Sequence, residues 1–455
     1  MPAEARAAGA APDAGFLGRF GWAMFDWANQ PIFSVITTFI FAPYFTSFVV
    51  ADPVRGQALW GYAQSAAGVL IAVASPFLGA MADAAGPRKG WTFVFQVPCV
   101  ICAAALWWVT PASGPETWTW ALAAIAVMTV GAEISVVFNN AMLPDLVPHE
   151  RLGRLSGYAW GLGYVGGLIA LTTVLVCFSL PDQPWFGLDK AMHENDRVVG
   201  PLVAVWIVVF DLPLFLFTPD QPHCGIGRAE AARQGARKVF ATVAKLGRYR
   251  NIALFLIARM IAYDGLSAVF AFGGIYAAGM FGWGTTSLGI FGIVIIVFAA
   301  IGAAVGGWLD DRIGSKPTIQ GALVGVTFAT FGILSMTHDS VLFGIAVDGP
   351  VQGGALFASS AERAFMLFAV IIGLCSGPMQ AAARTMMARL APPDMLGEFF
   401  GLYALTGKAT AFFAPLAIAI MTDAFASQRA GIFAIVVFLV AGFVLMMPVR
   451  EERAA

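Results

Sequence analysis

Gly79-Ala-Met-Ala-Asp83-Ala-Ala-Gly86-Pro-Arg88-Lys89 and Gly307-Trp-Leu-Asp-Asp311-Arg312-Ile-Gly314-Ser-Lys316 are two versions of one pattern. In each, a glycine leads by four residues an aspartate, a second glycine follows three later, and basic residues trail. Both follow an apolar run. The echo continues downstream: Leu146-Val-Pro148 with Gly153 and Gly157 matches Leu390-Ala-Pro392 with Gly397 and Gly401, at equal internal spacing. Upstream, Phe25-Asp26-Trp27 has its counterpart in Tyr263-Asp264-Gly265. Repetition on this scale means two structurally equivalent halves in parallel, related by a pseudo-twofold axis along the membrane normal.

The apolar runs between these motifs show what is repeated. A bilayer core needs about 20 apolar residues in helical form. Runs of that length recur at approximately 20–49, 59–82, 91–110, 118–141, 154–180, 199–218, 251–281, 285–309, 318–337, 364–387, 398–424 and 430–448. The chain of 455 residues is 59% hydrophobic and 12% charged, roughly half the charge of a soluble protein. These runs predict an all-α membrane protein of twelve transmembrane helices in two pseudo-symmetric six-helix bundles. Residues 1–218 form the first bundle, 219–250 a linker and 251–455 the second.

The net charge of -1 is uninformative, but the placement of charge is not. Nineteen of the 26 lysines and arginines fall at one set of ends and loops, including Arg88, Lys89, Arg312, Lys316, Arg389 and seven in the central linker. Five fall in the alternate loops (Arg55, Lys190, Arg197, Arg363, Arg429), and Arg259 and Lys408 lie within spans. The bias predicts that both termini and the central loop are cytoplasmic, in a cell membrane. Within the linker, Ala229 to Leu246 reads as a basic amphipathic helix, either a tether between bundles or an element resting on anionic lipid. No cleavable leader is expected, because the first apolar run is too long.

Chemistry of other classes finds little support. Cys99 and Cys102 form a CxxC inside an apolar run, without a second pair, and read as helix packing. The four histidines fall between spans, so neither a metal site nor a catalytic Ser/His arrangement is legible. The sequence shows no nucleotide-binding motif. It points to no enzyme, no cofactor and no nucleic-acid partner, and nothing in it argues against a monomer.

The Gly-x-x-x-Asp-x-x-Gly pattern with trailing basic residues, present twice, resembles the cytoplasmic loop signature of the major facilitator superfamily. Phe25-Asp-Trp-Ala-Asn-Gln30, Asn140-Ala-Met-Leu-Pro144-Asp145, Gly157-Tyr158, Tyr263-Asp264-Gly265 and Phe399-Phe-Gly401-Leu-Tyr403 are more narrowly similar to its vacuole-effluxer-like branch. Two departures stand out: Pro87 is an extra residue in the first loop motif, and Ala84 replaces a usual arginine. The resemblance implies a secondary transporter working by alternating access on a small polar or charged solute. Eukaryotic members of the branch resemble amino-acid exporters, and protons are the candidate coupling ion. A receptor or assembly factor that keeps the fold without net transport is the alternative.

Carboxylates within spans narrow the search for a site, since each costs about 2.5–3.5 kcal/mol if it faces lipid. Asp26, Glu133, Asp211 and Asp264 lie within spans, and Arg259 and Lys408 share their depth. They either pair to hold the bundles together or bind a proton or substrate. Asp26 and Asp264 sit on the first helix of each half, which lines the central cavity in the superfamily; Asp211, on the sixth, is the weaker candidate. Asn29, Gln30 and Pro31 predict a break in the first span, with carbonyls opened beside Asp26. Asn139, Asn140, Tyr263 and Gln380 are candidate neutral contacts, or ordinary interhelical hydrogen bonds. The loop residues Asp83, Arg88, Asp311, Arg312 and Lys316 are expected to gate. By the resemblance, Asp83 meets the start of span eleven and Asp311 that of span five, latching the outward-facing state against a helix N-terminus. The glycine-rich fifth span (Gly157, Gly161, Gly163, Gly166, Gly167) is expected to pack closely at the moving interface between the halves.

Overall fold

The computed structural model describes residues 14–85, 87–147, 152–222, 230, 233, 246–350, 355–391, 399, 402, 403, 406, 407 and 410–451. Six helices make the first half: α1 (Gly15–Val49), α2 (Pro53–Ala85), α3 (Lys89–Ala105), α4 (Pro115–Leu146), α5 (Leu152–Val174, continued by a π-turn Leu175–Ser179) and α6 (Val199–Phe217). Six more make the second: α7 (Arg250–Phe281), α8 (Thr285–Ile313), α9 (Ser315–Leu334), α10 (Ser360–Leu390), α11 (Phe413–Phe425) and α12 (Gln428–Met446). Eleven of the twelve are long and apolar enough to cross a bilayer. The described part of the other, α11, is an apolar helix of 13 residues. Most of the expected basic linker helix lies outside the described residues, as does Lys408. One element departs from an all-helical chain, a short antiparallel hairpin of β1 (Ser340–Val341) and β2 (Ile345–Ala346) in the α9–α10 connection.

The repeat expected from the motifs is visible in the packing. In the first half α1 packs on α6, α2 on α4, α3 on α4 and α3 on α6. In the second, α7 packs on α12, α8 on α10, α9 on α10 and α9 on α12, the same scheme six helices later. Outer faces present Ile101, Val205, Leu216, Phe328 and Val444 exposed, as an apolar surround requires.

Pro31 does not unwind α1, contrary to the break expected there. The helix is α-helical to Pro31 and then widens into π-helix over Ile32–Phe39, and again over Phe45–Val49. Proline carries no N–H, so the backbone loses one bond of the four-residue ladder. It recovers by reaching five residues back, as in Ile40 N–H to the Val35 carbonyl at 3.0 Å. Carbonyls that would otherwise lie bare in the bilayer stay paired.

Basic residues mark one end of the bundle, here called the basic face; the halves meet firmly at the opposite end. Gln57 of α2 donates through Nε2 to Thr422 Oγ1 of α11 at 2.8 Å and to the Gln428 carbonyl at 3.2 Å. Gln428 returns a bond to the Pro53 carbonyl at 3.0 Å. Beside them Phe39 of α1 meets Phe291 of α8 edge-on, ring centroids 5.9 Å apart. A side chain at Gly431 would place its Cβ 2.1 Å from Thr422 Oγ1 and 2.6 Å from Gln57 Nε2. Gly431→Val is therefore expected to lower stability by about 1–3 kcal/mol through overpacking. Thermal unfolding in detergent checks this, with Gly90→Ala unchanged because nothing lies within 4 Å of it.

Candidate functional site

Polar groups lie part-way along α1 of the first half and α7 of the second, beside the seam between the halves, here called the gap. Asp26 and Gln30 of α1 lie half-buried against α5, whose Gly163 sits on Asp26 and Gly167 on Gln30. Absence of a side chain at Gly163, Gly166 and Gly167 lets α5 approach α1 of its own half, rather than the interface between the halves expected for that stripe, and Gly161 has nothing within 4 Å. Asp26 has no hydrogen-bond or ionic partner among the described residues. Across the gap stand Arg259 and Tyr263, half-buried on α7, and Gln380 on α10. Tyr164 of α5 comes near enough to Tyr263 and Arg384 to feel their charge, which joins the two sides in one space.

The α7 side is the more elaborate. Arg259 lies over the ring of Tyr403 at 3.5 Å and beside that of Tyr263 at 5.4 Å. Its Nη1 donates to the Tyr403 carbonyl at 2.9 Å and to Thr406 Oγ1 at 3.4 Å. Two tyrosine faces and a carbonyl hold the guanidinium without neutralising it. Asp264, 4% exposed, sits beside Thr410 and within electrostatic range of Arg259, with Oδ2 lacking a hydrogen-bond partner among the described residues. A fixed cation, a nearby carboxylate and aromatic walls can recognise an anionic group and handle a proton.

Other candidates lie elsewhere. Asn29 is turned into the first bundle, where its Oδ1 accepts from Gln96 of α3 at 2.9 Å. The carbonyl of Asn139 accepts from the Trp22 indole at 2.7 Å, and Asn139 is buried. Asn140 is exposed and Glu133 half-buried on α4. Gln380 donates weakly to the Ser376 carbonyl at 3.4 Å on its own helix.

At the basic face the loop motifs build two matching clusters, one in each half. The Asp220 carboxylate beyond α6 accepts from the backbone N–H of Arg88 and of Lys89, at 2.9 and 3.1 Å, at the start of α3. The Glu451 carboxylate beyond α12 accepts from Ser315 N–H and Lys316 N–H, at 2.8 and 2.9 Å, at the start of α9. Lys89 Nζ donates to the Phe215 carbonyl at 3.1 Å, and Lys316 Nζ to the Met447 carbonyl at 2.7 Å. In both halves, then, an acidic side chain caps the third helix with two N–H bonds and meets its dipole, while a lysine closes the end of the sixth. The remaining charges are exchanged between halves. Arg88 pairs with Asp145 at the end of α4, whereas Arg389 at the end of α10 pairs with Glu451 at 2.9 Å and Asp310 at 3.2 Å. Arg312 is exposed, its guanidinium 4.0 Å over Trp308. The side chains of Asp83 and Asp311 lie outside the described residues.

The model of the vacuole effluxer Atg22-like proteins matches residues 48–455. The chain belongs to that family. Among relatives, the uncharacterized MFS-type transporter YxiO of Bacillus subtilis is 25% identical over 442 residues, 95% of each chain. Autophagy-related protein 22-1 of Neosartorya fischeri is 22% identical over 313 residues, 66% of this chain and 48% of that protein. This effluxer-like chain thus spans about half the fungal protein's length. Among solved structures, the D-xylose–proton symporter superposes with a TM-score of 0.66 at 12% identity, over 96% of this chain and 97% of that one. The fold is that of the major facilitator superfamily.

Asp145, Asp310 and Arg389 stand in the sequence only as motif or topology residues and Asp220 and Glu451 in no motif, although the repeat held the signal: acidic residues follow the sixth span of both halves. Burial pushes the Glu451 carboxyl up, but the two N–H donors and Arg389 outweigh it and hold it below its ordinary 4.5. A lowered value means that the stability it contributes is full above pH 4.5 and is lost as pH falls further. Glu451→Gln is expected to lower stability at neutral pH by about 1–2 kcal/mol, and to flatten the loss seen in the parent on acidification. Thermal unfolding across pH checks both.

Proposed function

We propose that this protein is a secondary transporter that carries a small polar or charged solute through the gap between its halves by alternating access. The observation that carries the reading is the mid-depth cluster of Arg259, Tyr263, Tyr403 and Asp264 in the second half, with Asp26 and Gln30 half-buried on the first helix of the other. A cation and carboxylates at this depth are costly unless they serve a wet passage. The basic face is taken as cytoplasmic. The sealed opposite end, bonded through Gln57, Thr422 and Gln428, supports a gap that opens toward that face. Arg259 presents its fork to a carboxylate-bearing cargo, and Asp26 and Asp264 exchange protons with it or with water. Amino acids are the class favoured by resemblance to the vacuole-effluxer-like branch. Asp83 and Asp311 act as latches in the opposite, outward-facing state. The linker 219–250 tethers the two bundles, and the chain acts as a monomer.

Uptake of pooled labelled amino acids into proteoliposomes, with and without an imposed pH gradient, tests the reading. Gradient-dependent uptake is expected in the parent. Arg259→Ala and Asp264→Asn are expected to lower it about tenfold or more, the cost of one charge-assisted contact. Parent proteoliposomes that take up none of the pool in either condition would remove this cargo class.

A further inference from the structure

Asp211 is an intramembrane carboxylate that lies outside the gap between the halves. Asp211 of α6 faces α1 and α3 within the first bundle and is 4% exposed. Its hydrogen bond comes from Gln96 Nε2 of α3, which donates to Asp211 Oδ2 at 2.7 Å and, with its second N–H, to Asn29 Oδ1 of α1 at 2.9 Å. Asn29 Nδ2 in turn donates to the Phe25 carbonyl at 3.0 Å. Asp211 Oδ1 and Gln96 Oε1 have no hydrogen-bond partner among the described residues.

Among the described residues, no counter-charge lies beside it. The lysines and arginines of these three helices are Arg19 on α1 and Lys89 on α3; α6 has none. Lys89 is seven residues from Gln96, about 10 Å along α3, and is bonded to the Phe215 carbonyl. From α3 the titratable neighbour is the Cys99 thiol. From α1 the neighbour is Asn29, since Asp26 packs against α5. A buried carboxylate with amide partners alone is costly when charged and far less so when neutral. We infer that Asp211 is a proton-binding site, and that Gln96 and Asn29 relay its charge state to α1.

The relay follows from amide chemistry. With Asp211 ionised, donors point toward it: Asn29 gives to Phe25, and Gln96 gives to both Asn29 and Asp211. Proton uptake from water makes Asp211 a donor through a new O–H bond, and no other covalent bond changes. Gln96 then meets it by a half-turn of its amide that brings Oε1 round as acceptor. That oxygen also accepts from Asn29 Nδ2, which leaves the Phe25 carbonyl. Asn29 precedes by two residues the point where Pro31 turns α1 into π-helix. The charge on Asp211 is thereby read on the helix that carries Asp26 and Gln30.

Infrared difference spectroscopy of the full chain in nanodiscs, titrated from alkaline to acidic pH, tests this without any cargo. The parent is expected to gain a protonated-carboxyl C=O band that is absent from Asp211→Asn and retained in Asp26→Asn. Gln96→Leu removes the N–H that favours the anion, and should tighten proton binding at this band about tenfold, moving its midpoint up by about one pH unit. Identical parent and Asp211→Asn spectra, with the variant folded, would overturn the assignment. If Asp211→Asn does not fold, an unmoved midpoint in Gln96→Leu would do the same.

Discussion

A carboxylate carried into a bilayer core must gain a partner, a proton or a water-filled gap, because bare it costs several kcal/mol. The acidic side chains of this protein divide along those lines. At the basic face, Asp220 and Glu451 accept two backbone N–H bonds each and cap a helix. At mid-depth, Asp26 and Asp264 border the gap between the halves. Inside the first bundle, Asp211 accepts from the Gln96 amide beside the Cys99 thiol. Position in the fold therefore places acidic side chains in three different surroundings: a helix start, the seam between the halves and a buried amide pair.

The same constraint shapes the backbone. A bilayer tolerates no unpaired carbonyl facing lipid, so α1 absorbs Pro31 by π-winding. That half of α1 lies against α7 and α8, at the end where the halves are sealed. Most of the polar seal is neutral amide and hydroxyl, from Gln57, Thr422 and Gln428. Such bonds contribute about 0.5–1.5 kcal/mol each, enough to favour a closed end and weak enough to exchange.

The fold was legible because hydropathy and an internal repeat report on it directly: eleven of twelve expected spans are long apolar helices, and the packing scheme repeats six helices on. The local form of α1 was not, since proline predicts a lost bond but not how the neighbours re-pair. Of the polar residues, Arg259, Tyr263 and Asp264 cluster on α7, while Asp26 and Gln30 lie on α1 against α5. Asn29 and Asn139 are drawn into the first bundle instead. A helix has more than one polar face available, and the sequence of α1 alone does not tell which one meets α5 and which meets α3. Gln96 and Tyr164 carry no signal of their own and Tyr403 only a family motif; each becomes informative beside Asp211, Tyr263 or Arg259. The twin caps were readable in principle, as acidic residues placed alike after the sixth and twelfth spans.

The central claim is that two rigid halves rock about the gap so that one end opens as the other closes. Spin-label distances in nanodiscs test it most directly, in a chain lacking its five cysteines, with one pair at Arg55 and Phe425 and another at Gly90 and Ile313. The account predicts two distance populations at each pair, exchanging with pH in opposite directions at the two ends. A single unvarying distance at both pairs, or movement in the same direction at both, would contradict it.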